Sequence, residues 1–220
     1  VQPQITKSYA GGNIEDSHSL VLRSSRLAYF LLMLMSIPVI AEADYLLSIW
    51  LKDVPQHTVM FVRIIIIISL IESLSQPLIH LMLATGNIKK YQIIVGSINL
   101  LNFPLAWGLL KLGVEPELVQ SSIILFSIIA LIVRLVMLKQ MTGFSILRFL
   151  ESTIVKCTIV TILACVAPII ICSQYQACIV RLIANVLITV IIGVILVYLI
   201  GLQPGERNNI NNKLKEIAHR

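Results

Sequence analysis

Apolar residues run along this chain in long unbroken stretches, separated by short polar interruptions. Stretches well beyond ~18 residues predict membrane-spanning helices, not core helices of a soluble domain. About six are legible: 21–40, 59–84, 93–112, 118–138, 153–172 and 179–202. They are too long for barrel strands and lack period-two alternation, so the expected fold class is all-α, a polytopic transmembrane helix bundle. Glu42 and Asp44 precede a short amphipathic segment, 45–51, expected at the interface. Turn residues close the spans: Asp53-Val54-Pro55, Thr85-Gly86-Asn87, Gly113-Val114-Glu115-Pro116 and Thr142-Gly143. The opening segment is polar. Gln2-Pro3-Gln4-Ile5 reads as the end of a preceding helix, residues 9–13 as a turn, and 14–26 as a polar helix entering the first span. Its serines and arginines form a solvated face, or Lys7, Arg23 and Arg26 attract an anionic headgroup.

The second span carries the one pattern that a passive anchor does not need. Ser69, Glu72, Ser73, Gln76 and His80 recur at helical spacing and share an arc about 100° wide. Pro77 loosens the helix on the same stripe. An ionisable group at membrane depth is costly and marks a substrate or ion path. A carboxyl there can exchange a proton near neutral pH, and hydroxyl and amide groups suit sugar hydroxyls or water. Two readings of Glu72 stand: a path residue, or a partner to a basic group on a helix outside this chain. His80 is either a path residue or a histidine satisfied by a neighbour. On the third span, Asn99 and Asn102 serve helix packing, with Gly96 allowing close approach, or touch substrate. The fifth and sixth spans are nearly pure Ile, Val and Leu, with Asn185, Thr189 and Gly193 as mild exceptions, and read as peripheral.

Composition narrows the class. Hydrophobic residues make up 57%, charged residues 13% and mean hydropathy is +0.91, which excludes a soluble globular domain. The net charge of +6 follows topology, not nucleic-acid binding, because the basic residues sit in short loops. With the N-terminal segment inside, Lys7, Arg23, Arg26, Lys89, Lys90, Lys139, Arg148, Lys156, Arg207, Lys213, Lys215 and Arg220 are all inside. Only Lys52, Lys111 and Arg181 fall outside, so both ends of the chain are expected to be cytoplasmic. Tyr45, Trp50, Trp107 and Tyr175 mark the outer boundary, and Tyr29, Tyr91 and Tyr198 the inner one. Arg63 is expected to snorkel outward and Arg134 inward, the alternative for each being contact with substrate. Cys157, Cys165, Cys172 and Cys178 contain no C-x-x-C pair and read as apolar filler, or as a Cys172–Cys178 bridge. His18, His57, His80 and His219 are scattered without ligand spacing, so no metal and no cofactor is expected. No nucleophile–base set, paired carboxylates or glycine-rich phosphate loop stands out, so no enzyme is expected.

Several motifs occur in a specific order. Pro3-Gln4-Ile5-Thr6-Lys7-Ser8-Tyr9-Ala10-Gly11-Gly12-Asn13 comes first, then Ile37-Pro38, Ile49-Trp50-Leu51-Lys52 and Val54-Pro55. Ala84-Thr85-Gly86-Asn87-Ile88-Lys89-Lys90-Tyr91 follows, then Asn99 and Asn102. Over about residues 1–140 this resembles the polysaccharide-biosynthesis flippases of the multidrug/oligosaccharidyl-lipid/polysaccharide exporter superfamily. The resemblance implies a MATE-like fold of two helical lobes with 12–14 spans, of which this chain, beginning at Val1 without a signal-peptide core, is a C-terminal fragment. It implies a connector over 1–20, four second-lobe core spans over 21–140, an appended helix pair over 141–202 and a cytoplasmic basic tail over 203–220. It further implies alternating-access translocation of a polyprenyl-diphosphate-linked oligosaccharide across a bacterial inner membrane, for O-antigen, lipopolysaccharide or exopolysaccharide synthesis. Membrane lipids and polysaccharide assembly proteins are the implied partners. The family carries no catalytic set to transfer, and the basic cavity residues expected for a diphosphate lipid are few here. The rival readings are a cation-coupled multidrug exporter of the same superfamily and a membrane-embedded glycan polymerase or transferase.

Overall fold

A computed structural model of the chain describes residues 2–208 and Asn212. Lys213, Lys215, His219 and Arg220, and with them most of the 203–220 tail, lie outside the described residues. No strand occurs among the described residues. A short helix α1 (Gln2–Ala10) leads through Gly11-Gly12 into α2 (Ile14–Ala41), followed by α3 (Ala43–Trp50), α4 (Thr58–Ala84), α5 (Ile88–Lys111) and α6 (Pro116–Thr142). Two further long helices are α7 (Ile146–Gln174) and α8 (Ile179–Gly201). Six of these are long and apolar enough to cross a bilayer, and the chain is an all-α polytopic membrane bundle.

The helices form where backbone chemistry allows nothing else. In hydrocarbon each amide must be satisfied within its own segment, which makes a helix the default for every long apolar run. Their ends follow local signals. Pro116 opens α6 with Glu117 in the first turn, and Gly143 closes it at φ 74°, a left-handed conformation that costs glycine nothing. The first span is longer than its apolar run suggests: the polar 14–26 segment is continuous with it, and one face of that segment is buried. The opening segment also differs from expectation. Residues 2–10 form a helix of their own, docked on α2 and α4 with Ile5 fully buried, because its apolar side completes the core at that end.

Two ends of the bundle can be told apart by the short helices. At the α1 end, Ile5, Leu22, Leu78, Leu81, Leu138 and Phe149 form one packed core. Toward the middle, Phe30, Met33, Leu70, Leu74, Val160 and Ala164 join α2, α4 and α7. At the α3 end, His57 Nδ1 lies 2.8 Å from Glu117 Oε1 and ties the start of α4 to the start of α6. The resulting order is a row: α5 on α6, α6 on α4, α4 on α2, and the α7–α8 pair on the far side of α2.

The α2–α8 contact is unusually close. A Cβ added at Gly201 would meet the Phe30 ring at 2.5 Å, and one at Gly193 would meet Leu34 Cδ2 at 2.4 Å. Asn185, Thr189, Gly193 and Gly201 thus face α2, which is how small residues let helices approach in lipid. These mild exceptions in a bland span are its packing face. The Gly201→Ala variant is expected to lose about 1–3 kcal/mol of stability, since the Phe30 ring is buried and cannot swing away. Gly193→Ala, which meets only the end of a flexible leucine, is expected to be close to neutral. Thermal unfolding of the detergent-solubilised protein separates the two.

Candidate functional site

The stripe on α4 begins with geometry that the helix itself dictates. Ser69 Oγ donates to the Ile65 carbonyl at 2.9 Å and Ser73 Oγ to the Leu70 carbonyl at 2.7 Å, so both hydroxyls are satisfied by their own helix. Pro77 has no N–H, which leaves the Ser73 carbonyl without its usual intrahelical donor on this same face. Gln76 is exposed and makes no hydrogen bond to another described residue. His80 is half-buried, and its Nδ1 is enclosed with no partner among the described residues.

Glu72 has a partner within the chain. Arg134 Nη1 on α6 lies 3.6 Å from Glu72 Oε2, with the Arg134 side chain 5% exposed and that of Glu72 37% exposed. This corrects two expectations. The basic group that Glu72 pairs with sits on a helix of this chain, and Arg134 does not snorkel toward the α1 end. The reason lies in helix geometry. Every Cα–Cβ bond tilts toward the helix N-terminus, so on α6 a long side chain near the α1 end reaches back to mid-span. Arg63, near the N-terminal end of α4, follows the same tilt outward: its Nη2 donates to Asp44 at 2.7 Å and its Nε to the Ile40 carbonyl.

The Glu72–Arg134 pair is loose. At 3.6 Å it exceeds hydrogen-bond distance, and Arg134 Nε and Nη1 have no hydrogen-bond partner among the described residues. Ser75 Oγ, on the adjoining face of α4, is likewise buried and unpartnered. A buried guanidinium with free donors beside a half-exposed carboxylate is an arrangement that water, a proton or a polar ligand can enter. Beyond His80 the chain reaches a polar pocket of about 460 Å³ lined by Tyr9, Thr85, Asn87, Lys90 and Gln140, with Met137 and Met141.

The third-span residues divide. Asn102 Oδ1 accepts from Ser122 Oγ at 3.1 Å and links α5 to α6, the packing role, whereas Asn99 is exposed. Gly96 faces open space, so it brings no helix close. The structure therefore gathers Glu72 and Arg134, leaves Ser69, Gln76 and Asn99 on open surface, and gives Asn102 a structural partner.

Two buried ion pairs were not anticipated. Glu42, fully buried, accepts from Arg181 Nη2 at 2.6 Å, from Asn185 Nδ2 at 2.9 Å and from Cys172 Sγ at 3.4 Å. Burial pushes the Glu42 carboxyl up, but the bonds from Arg181, Asn185 and Cys172 outweigh it and hold the group below its ordinary value. At the opposite end Arg26, expected on a solvated face, is buried. Its Nη2 donates to Glu206 at 2.7 Å and its Nη1 to the Ser152 carbonyl. The cysteines are all free, with Cys172 bonded to Glu42 in place of a bridge to Cys178. The only advance signal was the four-residue spacing of Asn185, Thr189 and Gly193 on α8.

No group of histidine, cysteine and acidic residues among those described is arranged to hold a metal ion. No protein-family model, curated protein or solved structure matches the chain.

Proposed function

We propose that this membrane bundle is the cargo-facing part of a transporter that translocates a lipid-linked oligosaccharide, a polyprenyl-diphosphate glycan, across a bacterial inner membrane by alternating access. The observation that carries the reading is the loose Glu72–Arg134 pair at mid-span, on a helix whose polar stripe stays open to the surroundings. A purely structural ion pair in lipid is expected to be closed and hydrogen-bonded on all sides. This one is half-exposed and short of hydrogen bonds, which suits a pair that forms and breaks as a path opens. The exposed faces of α4 and α5, with Ser69, Gln76 and Asn99, line that path in the proposed two-lobe arrangement. Glycan hydroxyls suit these amide and hydroxyl groups, and Arg134 supplies a cation to a diphosphate.

The motif order over residues 1–140 supports the flippase reading over the drug-exporter reading. In cells that express this protein in its full-length context, with surface glycan and drug susceptibility both measured, Glu72→Gln is expected to reduce surface glycan by tenfold or more at equal protein level. Glycan output equal to wild type removes Glu72 from the mechanism. Unchanged glycan with raised drug susceptibility assigns the protein to the exporter class.

A further inference from the structure

The α1 end of the α2–α7–α8 junction holds more positive charge than its one carboxylate neutralises. Glu206 takes both 2.7 Å bonds from Arg26 Nη2 and lies 3.4 Å from Arg23 Nε. Arg207 follows in the chain, its guanidinium 5.9 Å from the Tyr198 ring and bonded to the Leu199 carbonyl. The charged groups around Lys156 are Arg26, Glu206 and Arg207. The nearby Arg148 and Glu15 pair with each other and leave this balance unchanged.

Two N–H groups in the cluster are buried without an acceptor among the described residues: Arg26 Nε, on a side chain 1% exposed, and Arg207 Nε. A native structure rarely leaves a buried guanidinium donor unmatched, because the desolvation cost is not recovered. Arg26 is sealed against Glu206, whereas Arg207, on a part-exposed residue, is the one that an oxyanion arriving from outside can approach. Access exists on one side, since the Arg23 side chain is 48% exposed.

The position of the cluster selects the kind of anion. The apolar part of α2 starts just after Arg26, that of α7 continues past Lys156, and α8 ends at Gly201. All three helices enter lipid-compatible sequence at this level, so the cations lie at the boundary between hydrocarbon and water. Below them, Val155, Ile159 and Leu199 present exposed apolar side chains along which acyl chains can lie. A soluble anion has no use for that apolar floor. A phosphodiester headgroup carrying a net negative charge needs both parts.

We propose that this cluster is a binding site for the headgroup of an anionic phospholipid, with Arg23, Lys156 and Arg207 around its phosphate. The test is native mass spectrometry of the full chain in detergent, titrated with phosphatidylglycerol, phosphatidylcholine and inorganic phosphate. Phosphatidylglycerol is expected to bind at least tenfold more tightly than phosphatidylcholine. The R23Q/K156Q variant is expected to lose that preference, with phosphatidylcholine binding unchanged. Equal affinity for the two lipids, or an undiminished preference in the variant, overturns the site. Displacement of phosphatidylglycerol by equimolar inorganic phosphate overturns the lipid as its ligand. Should the double variant fail to fold, Arg23→Gln alone, at an exposed position, is expected to weaken phosphatidylglycerol binding at least threefold, and no change there overturns the proposal equally.

Discussion

Replacing Glu42 with Ala is expected to lower the unfolding free energy by about 3–5 kcal/mol, because it leaves the Arg181 side chain, only 12% exposed, without its counter-charge. Arg181 Nη2 and Asn185 Nδ2 both lose their carboxylate acceptor; Arg181 Nη1 keeps the Tyr175 carbonyl, and Asn185 Nδ2 keeps only the weak Cys172 Sγ acceptor at 3.5 Å. Glu42→Gln retains an acceptor oxygen and is expected to cost less, about 1–3 kcal/mol. The double variant E42M/R181L removes both charges and fills the space, and should recover more than half of the loss. Chemical or thermal unfolding in detergent micelles reads all three. The pH dependence has a fixed sign. The folded-state carboxyl is held below its ordinary value of 4.5, so the native state binds fewer protons than the unfolded one in that region. Stability from this group is therefore fully present above about 4.5 and is lost as pH falls through the lower, folded-state value. The Glu42→Gln variant should lack this acid-side loss, which is measurable as a flatter stability profile below that pH.

The second pair, Arg26 with Glu206, runs in the opposite sense: base on α2, acid just past α8. With Glu42 just past the end of α2 and Arg181 on α8, each helix and its C-terminal flank bring one acid and one base to the contact. A parallel arrangement would set like charges together in a low-dielectric setting, and a shifted one would leave each charge without its partner. The α7–α8 pair is thus held to α2 in one register, with Gly201 against the Phe30 ring setting how closely the helices approach.

The two levels of structure differed in how far they could be read ahead. Span positions were legible because crossing a bilayer demands only length and apolarity, and both are local properties. The stripe of Glu72, Gln76 and His80 was legible for the same reason, since a 100° repeat is visible within one helix. The buried pairs were not. Glu42 and Arg181 are 139 positions apart, and Arg26 and Glu206 are 180 apart. Each sits at the end of a span, where a charged residue is ordinarily explained by water. Nothing local distinguishes Arg26, buried, from Arg23, half-exposed three residues earlier. Arg134 illustrates a different gap: its position was clear, but its direction depends on which way α6 runs relative to α4. Both run from the α3 end to the α1 end, so the tilt of the side chain carries it to mid-span and onto Glu72.

That geometry allows a direct separation of structural from mechanistic roles at the proposed path. Glu72→Gln and Arg134→Gln each break the ion pair, and each is expected to reduce transport of the lipid-linked glycan tenfold or more. Their stability costs should differ. Loss of Glu72 strands the buried Arg134, whereas loss of Arg134 leaves a carboxylate that is 37% exposed and can be solvated. Stability alone therefore ranks Glu72→Gln as the more damaging. The double variant E72Q/R134Q decides the question. Removing both charges eliminates the stranded one, so unfolding measurements should show most of the stability lost in Glu72→Gln restored. A pair whose role is only to hold α4 against α6 would then regain transport along with stability. A pair that must part and re-form, with a proton or an anionic cargo competing for one of its members, requires the charges themselves. The expected result is a well-folded double variant that does not move its cargo, measured as surface glycan at matched protein level; recovery of transport would make the pair a brace and shift the path elsewhere along the open face of α4 and α5.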